Sequence, residues 1–245
     1  MLIDLTMPLR EGIAAFPSHG RSVLELSPVM RHSDYAGRGR YNTYDGDAIS
    51  FEVSQWLLGD QSGTHMDAPF HADAGSPLSI DRVPLELGFG PAVWLDCAAA
   101  ATEGGVTLEV LQDALGRSGE QLERGDIVLL RTGASDDATT APVEYAVRAL
   151  GLTRQAAEWL RAAGVRTVGI DCVTIECADS ARTVDVHTNF LRPAALGLPP
   201  SQVIGVIENL VGLSTIPVHR FHLSALPLPL VGAAGSPVRA VASVP

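Results

Sequence analysis

The sequence predicts an α/β fold, and three consecutive segments carry that prediction. Gly125-Asp126-Ile127-Val128-Leu129-Leu130-Arg131-Thr132-Gly133 is an apolar run bounded by glycines, the pattern of a buried strand. Thr153 to Ala163 opens on a threonine cap and is followed by Gly164, so it reads as a helix. Val165-Arg166-Thr167-Val168-Gly169-Ile170-Asp171 is a second strand. Strand, helix and strand in succession pack as α/β layers. With 245 residues, 46% of them hydrophobic, and no linker-like stretch in the middle, the chain reads as a single domain over 1–245.

The remaining elements follow in order. Ile3 to Pro8 is a short strand entering a loop, and Phe16-Pro17 sits in a proline-bounded turn before the mixed segment Val23-Leu24-Glu25-Leu26. Phe16 is either a core side chain or a pocket wall. Arg31 to Asp47, which includes Gly37-Arg38-Gly39-Arg40-Tyr41, reads as a loop: a solvated connection, a lid or a subunit contact. Ile49 to Ser54 alternates apolar and polar residues, predicting a half-buried strand that leads towards Gln61. Pro91 to Asp96 is another strand, and Thr107 caps a helix through Leu115. After Pro199-Pro200, Val203 to Leu210 is strand-like and contains Glu208, an acid that is costly to bury inside an apolar strand unless it is paired or bound to a cation.

Chemistry concentrates in Gln61-Ser62-Gly63-Thr64-His65-Met66-Asp67-Ala68-Pro69-Phe70-His71. Imidazole nitrogen and carboxylate oxygen are the usual ligands of zinc, manganese or iron, and His65 and Asp67, two residues apart, share a face of an extended segment. Gln61 reaches the same point only if the chain turns at Ser62-Gly63, which glycine permits. His71 suits a general acid or base acting on a metal-activated water. Spacing alone leaves two readings of this stretch open, surface polar chemistry and a ligand set.

Composition narrows the function. The formal charge of −11, from 28 acids against 17 bases without a long block of one sign, argues against nucleic-acid and membrane-surface partners. An anionic substrate remains compatible, because a local arginine or metal reverses the field. Cys97, Cys172 and Cys177 are too few and scattered for a disulfide framework and read as buried thiols in a reducing interior. No secretory signal or membrane span is visible, so the expected location is the cytoplasm. His19, His32, His219 and His222 lack matching partners and read as non-catalytic, and Asp171 as a capping or turn carboxylate.

Gly63-Thr64-His65-x-Asp67-x-Pro69-x-His71 closely resembles the signature of the cyclase family of metal-dependent hydrolases, which includes kynurenine formamidase, isatin hydrolase and trans-dienelactone hydrolase. Most members have histidine where this chain has Gln61; glutamine there resembles the trans-dienelactone hydrolase branch. The Gly125–Gly133 run, the Asp-Leu-Thr opening and the tail from Phe221 to Ala242, similar to the family's closing strand pair, extend the likeness over the chain. In that tail Pro227 and Pro229 suit edge or bulge positions. His187 and Glu208 match the family's remaining ligands, and the connection between them, with Arg192-Pro193, is longer than in the formamidases. The resemblance implies a swivelling β/β/α domain, a homodimer or larger homo-oligomer, and one or two zinc or manganese ions. Gln61, His65 and Asp67 would bind one ion, and Asp67, His187 and Glu208 a second. It further implies hydrolytic opening of a small cyclic ester, amide or imide by metal-activated water, with His71 shuttling the proton and Glu208 as ligand or base. Kynurenine formamidase proper, a cyclase of secondary metabolites and a metabolite-binding protein on the same fold are the competing readings.

Overall fold

The computed structural model describes residues 1–17, 23–35, 42–44, 47–99 and 104–245. In chain order its strands are β1 (Leu2–Asp4), β2 (Val23–Met30), β3 (Asn42–Tyr44), β4 (Asp47–Ile49), β5 (Val53–Leu58), β6 (His65–Asp67), β7 (Phe89–Asp96), β8 (Ile127–Arg131), β9 (Thr167–Ile170), β10 (Gly205–Glu208), β11 (Arg220–Ser224), β12 (Gly235–Pro237) and β13 (Val241–Ser243). The α-helices are α1 (Pro69–Ala72), α2 (Leu108–Ser118), α3 (Pro142–Val147), α4 (Arg154–Ala163) and α5 (Asp185–Leu191).

The result is a mixed α/β fold built on a nine-stranded sheet in the order β1-β13-β11-β7-β8-β9-β10-β6-β12. Neighbours from β7 to β10 run parallel, because helical crossovers connect them; the outer pairs are antiparallel. β8 and β9 are buried nearly throughout, which is why they read as unbroken apolar runs. Thr107 Oγ1 accepts from the Val110 N–H and Thr153 Oγ1 from the Ala156 N–H, so both threonines cap their helices, each worth about 1 kcal/mol. α5 packs against α1, α4 and β10, and this places it over the end of the sheet where β10 meets β6.

Two expectations change. Ile49 to Ser54 is not one half-buried strand: β4 ends at Ile49 and β5 begins at Val53, pairing with β2 in a separate two-stranded ribbon. Alternation marks an apolar face but not what covers it, and here Trp56 and Leu57 are 48% and 56% exposed. Within the expected loop from Arg31 to Asp47, β3 and β4 pair antiparallel; residues 36–41 and 45–46, and His19 earlier, lie outside the described residues. The expected closing pair forms between β11 and β13, which run antiparallel, while β12, earlier in the same tail, crosses to the far edge beside β6. Pro227 makes only an isolated bridge to Val238, and Pro229 lies outside the strands.

Candidate metal centre

The β6–β10 register builds the site. His65 lies opposite Glu208 across this antiparallel pair, and Asp67 follows His65 on the same face. His65 Nε2 is 3.5 Å from Asp67 Oδ1 and 3.4 Å from Glu208 Oε2. His187, on the first turn of α5, brings its Nε2 to 3.7 Å from both Asp67 Oδ2 and Glu208 Oε1. His71, exposed on α1, has its ring centroid 5.7 Å from that of His187. Two sets able to hold a cation result, His65–Asp67–Glu208 and Asp67–His71–His187, with donor atoms within 4.8 Å of one another in each. Alongside the expected approach of His187 to Asp67 and Glu208, Glu208 also lies beside His65, and His71 stands at the rim next to His187. Gln61 lines the same cavity, with its Nε2 buried and without a hydrogen-bond partner, and a Cβ at position 235 would collide with it, so Gly235 makes its room.

Both histidines are held with one nitrogen free. His65 Nδ1 donates to the Gly63 carbonyl at 2.8 Å, which turns Nε2 and its lone pair inward. Gly63 must be glycine: its φ is +58°, and a Cβ would come within 2.7 Å of Leu9 Cδ2. His187 Nδ1 donates to Glu176 Oε1 at 2.8 Å, and the same carboxylate accepts the Val186 and His187 N–H groups at the start of α5. Glu176 is a residue the motif reading missed. The argument applied to Glu208, that a buried acid needs a partner, would have flagged it between Ile175 and Cys177.

Charge balance points to a cation. Burial alone would push the His65 imidazole down, but Asp67 and Glu208 reverse this and raise it to about 10. Burial likewise opposes protonation of His187, yet Glu176 and Glu208 raise it to about 9. Burial would raise the Asp67 carboxyl, and His65 instead holds it below the usual carboxylate range. Even so, His65 Nε2 and both Asp67 oxygens are buried without hydrogen-bond partners. Buried polar atoms are rarely left unpaired, and a carboxylate with two orphan oxygens facing an orphan imidazole nitrogen fits a divalent metal ion.

A second network fixes the strand end. Glu208 Oε1 accepts the Ile175 N–H at 2.7 Å. Asn209 holds the left-handed conformation at φ +58°; its carbonyl accepts the Thr64 hydroxyl at 2.6 Å and its Oδ1 the Tyr145 hydroxyl at 2.7 Å. Asp171 takes no part in the cluster. It accepts from the Thr132 N–H and hydroxyl and from the Gly133 N–H, the turn role expected of it. The other described histidines also lie elsewhere: His32 bonds Ser50, His219 stacks on Trp94 and His222 meets Phe89 edge-on. All three cysteines are buried, and burial pushes the Cys97 thiol up to about 12, a poor nucleophile at neutral pH.

The cluster forms one end of a cavity of about 380 Å³, whose walls include Phe16, Val173 and Val184. The pocket-wall reading of Phe16 is therefore the one observed. The Cyclase family model matches residues 3–177. The chain belongs to the Cyclase family. Kynurenine formamidase of Bordetella avium is 33% identical to it over 192 residues, covering 77% of this chain and 79% of its own. Two solved structures share the fold. Isatin hydrolase A of Labrenzia aggregata, bound to benzyl benzoate, superposes with a TM-score of 0.76 at 22% identity, over 99% of this chain and 93% of its own. A potential metal-dependent hydrolase with cyclase activity gives 0.68 at 23% identity, over 100% and 99%. In this Cyclase-family chain the matched region spans the β6 motif and Glu176, while His187 and Glu208 lie beyond it. Among the described residues no helix is long and apolar enough to cross a membrane.

Proposed function

We propose that this protein is a metal-dependent hydrolase that opens a small cyclic ester, amide or imide. The observation that carries the reading is the orphaned set at the cavity end, His65 Nε2 and both Asp67 oxygens, buried beside Glu208. Relatives named kynurenine formamidase and isatin hydrolase support hydrolysis as the reaction class. Gln61, His65, Asp67, His187 and Glu208 would hold one or two zinc or manganese ions. Such an ion, when bound, lowers the pKa of a water towards neutrality and polarises a carbonyl.

The chain's own residues do the rest. The Gly63 carbonyl and Glu176 fix the histidine tautomers, so the donor nitrogens face inward before substrate arrives. Phe16 and its apolar neighbours hold the ring and exclude bulk water. His71, at the exposed rim beside His187, takes the proton of the attacking water and delivers it to the leaving nitrogen or oxygen. The ring C–N or C–O bond breaks, the water oxygen stays on the carbonyl carbon, and the product gains a carboxylate.

The test is a panel of lactones, aryl formamides and isatin, hydrolysed in ¹⁸O-labelled water. Label in the new carboxylate is expected, with kcat for His71→Ala lower by roughly 10²- to 10⁴-fold while metal content holds. Ring closure without label, or activity that survives His65→Ala, refutes the reading. The proposal includes one domain over 1–245 and a homodimer or larger homo-oligomer, which the exposed Val53, Trp56, Leu57 and Leu58 on β5 support. Sedimentation as a monomer would oppose the oligomer. Three unbridged cysteines support a reducing, cytoplasmic setting.

A further inference from the structure

Among the described residues, Arg192 is the cation of the cavity wall that the hydrolytic chemistry does not use. Among the described residues the other partly buried arginines are engaged: Arg131 with Asp96 and Asp136, Arg220 with Glu120 and Asp126, Arg161 with Asn189, and Arg166 with the Glu86 and Phe89 carbonyls. Arg192 differs. Its Nε is buried without a hydrogen-bond partner, and among the described residues no carboxylate lies within ion-pair distance of its guanidinium. In a chain with 28 acids and 17 bases, an arginine left unpaired inside a cavity is an exception to be explained.

The two carboxylates of the same wall are already committed. Glu176 accepts from His187 and Val186, and Glu208 from the Ile175 N–H beside His65. Backbone geometry fixes where Arg192 stands. Its N–H closes α5 on the Thr188 carbonyl at 3.2 Å, Thr188 also lines the cavity, and the buried Pro193 restricts the next step of the chain. A guanidinium anchored at a helix end, with donors unspent, is a preformed receptor for a planar anion.

We propose that Arg192 binds a carboxylate on the substrate, so that the cavity selects a lactone, amide or imide ring carrying a carboxylate substituent. This deepens the hydrolase reading and rests on it for the ring. Recognition of the anion stands on Arg192 alone.

The test pairs coumarin with coumarin-3-carboxylate, the same cyclic ester without and with the anion. Both are titrated by calorimetry into the zinc-loaded full chain and into its Arg192→Gln and Arg192→Lys variants. Wild type is expected to favour the carboxylated ring by roughly ten- to a hundred-fold, the worth of a charge-assisted hydrogen bond. Arg192→Gln should bring that ratio close to one and Arg192→Lys should restore part of it, with thermal melting of both variants matching wild type. A ratio that moves less than about twofold in Arg192→Gln overturns the proposal, as does one abolished by chelator but not by the substitution, which assigns the carboxylate to the metal. An equal loss for both rings, with lowered melting, makes Arg192 structural and also overturns it. Because the binding ratio and the release of ring-opened product are read separately, a protein that discriminates but hydrolyses nothing sinks the hydrolase reading and leaves Arg192 in place. Hydrolysis of neutral rings with an unmoved ratio does the reverse.

Discussion

Glu176→Gln should weaken metal binding by roughly 10- to 100-fold, although this side chain reaches the metal donors only through His187. Glu176 Oε1 accepts from His187 Nδ1 and from the His187 N–H, both at 2.8 Å, and Oε2 accepts from the Val186 N–H at 3.2 Å. Glutamine keeps one oxygen and sets an NH₂ group against a donor on the other side. One buried N–H is then left unpaired, costing about 1–3 kcal/mol, and the bonds that remain lose the charge assistance that makes them about twice as strong as neutral ones. The His187 ring becomes less basic and freer to turn away from Asp67 and Glu208, and metal affinity falls. Zinc affinity is measured by chelator competition, and the stability of the metal-free protein by urea denaturation. A stability loss with zinc affinity within about twofold of wild type would refute the reasoning, leaving Glu176 as nothing more than a cap for α5.

Three further outcomes are expected. Gln61→His should raise zinc affinity in chelator competition, because imidazole is a softer and stronger donor than an amide oxygen; equal or lower affinity removes Gln61 from the ligand set. Tyr145→Phe leaves the buried Asn209 Oδ1 without its hydroxyl donor and should destabilise the protein by about 1–2 kcal/mol in urea melts, with a lower kcat because Asn209 adjoins Glu208; unchanged stability would show that the bond is dispensable. Metal affinity should rise with pH up to about 10, because the metal-free site holds protons on His187 and His65, raised to about 9 and about 10, that a cation must displace. By the same linkage the two histidines stabilise the metal-free fold below their ordinary value of 6.5, and that contribution is lost as pH climbs through 9 to 10; a melting temperature of the chelated protein that rises over that range contradicts it.

What the sequence revealed was local. His65 and Asp67 were legible because residues two apart share a strand face, and Glu208 because an acid in an apolar strand demands a partner. Thr107 and Thr153 announced their helices through side chains that bond only a few residues ahead. The register that sets Glu208 opposite His65 joins segments more than half the chain apart, and no periodicity encodes it. Glu176 was open to the same buried-acid argument as Glu208, but its partners, ten and eleven residues on at the start of α5, were not legible. The same limit hid Arg192, which becomes notable only once the surrounding acids prove to be engaged elsewhere. The edge that β12 joins was hidden for a related reason: a three-residue strand carries too little pattern to say where it pairs.

The central claim is that the cluster of buried donors exists to hold metal. Elemental analysis of protein purified without chelator, alongside His65→Ala, tests it most directly. One or two equivalents of zinc or manganese per chain, lost in the variant while its fold persists by circular dichroism, is the predicted result. A wild-type protein that stays metal-free even after reloading would contradict the account.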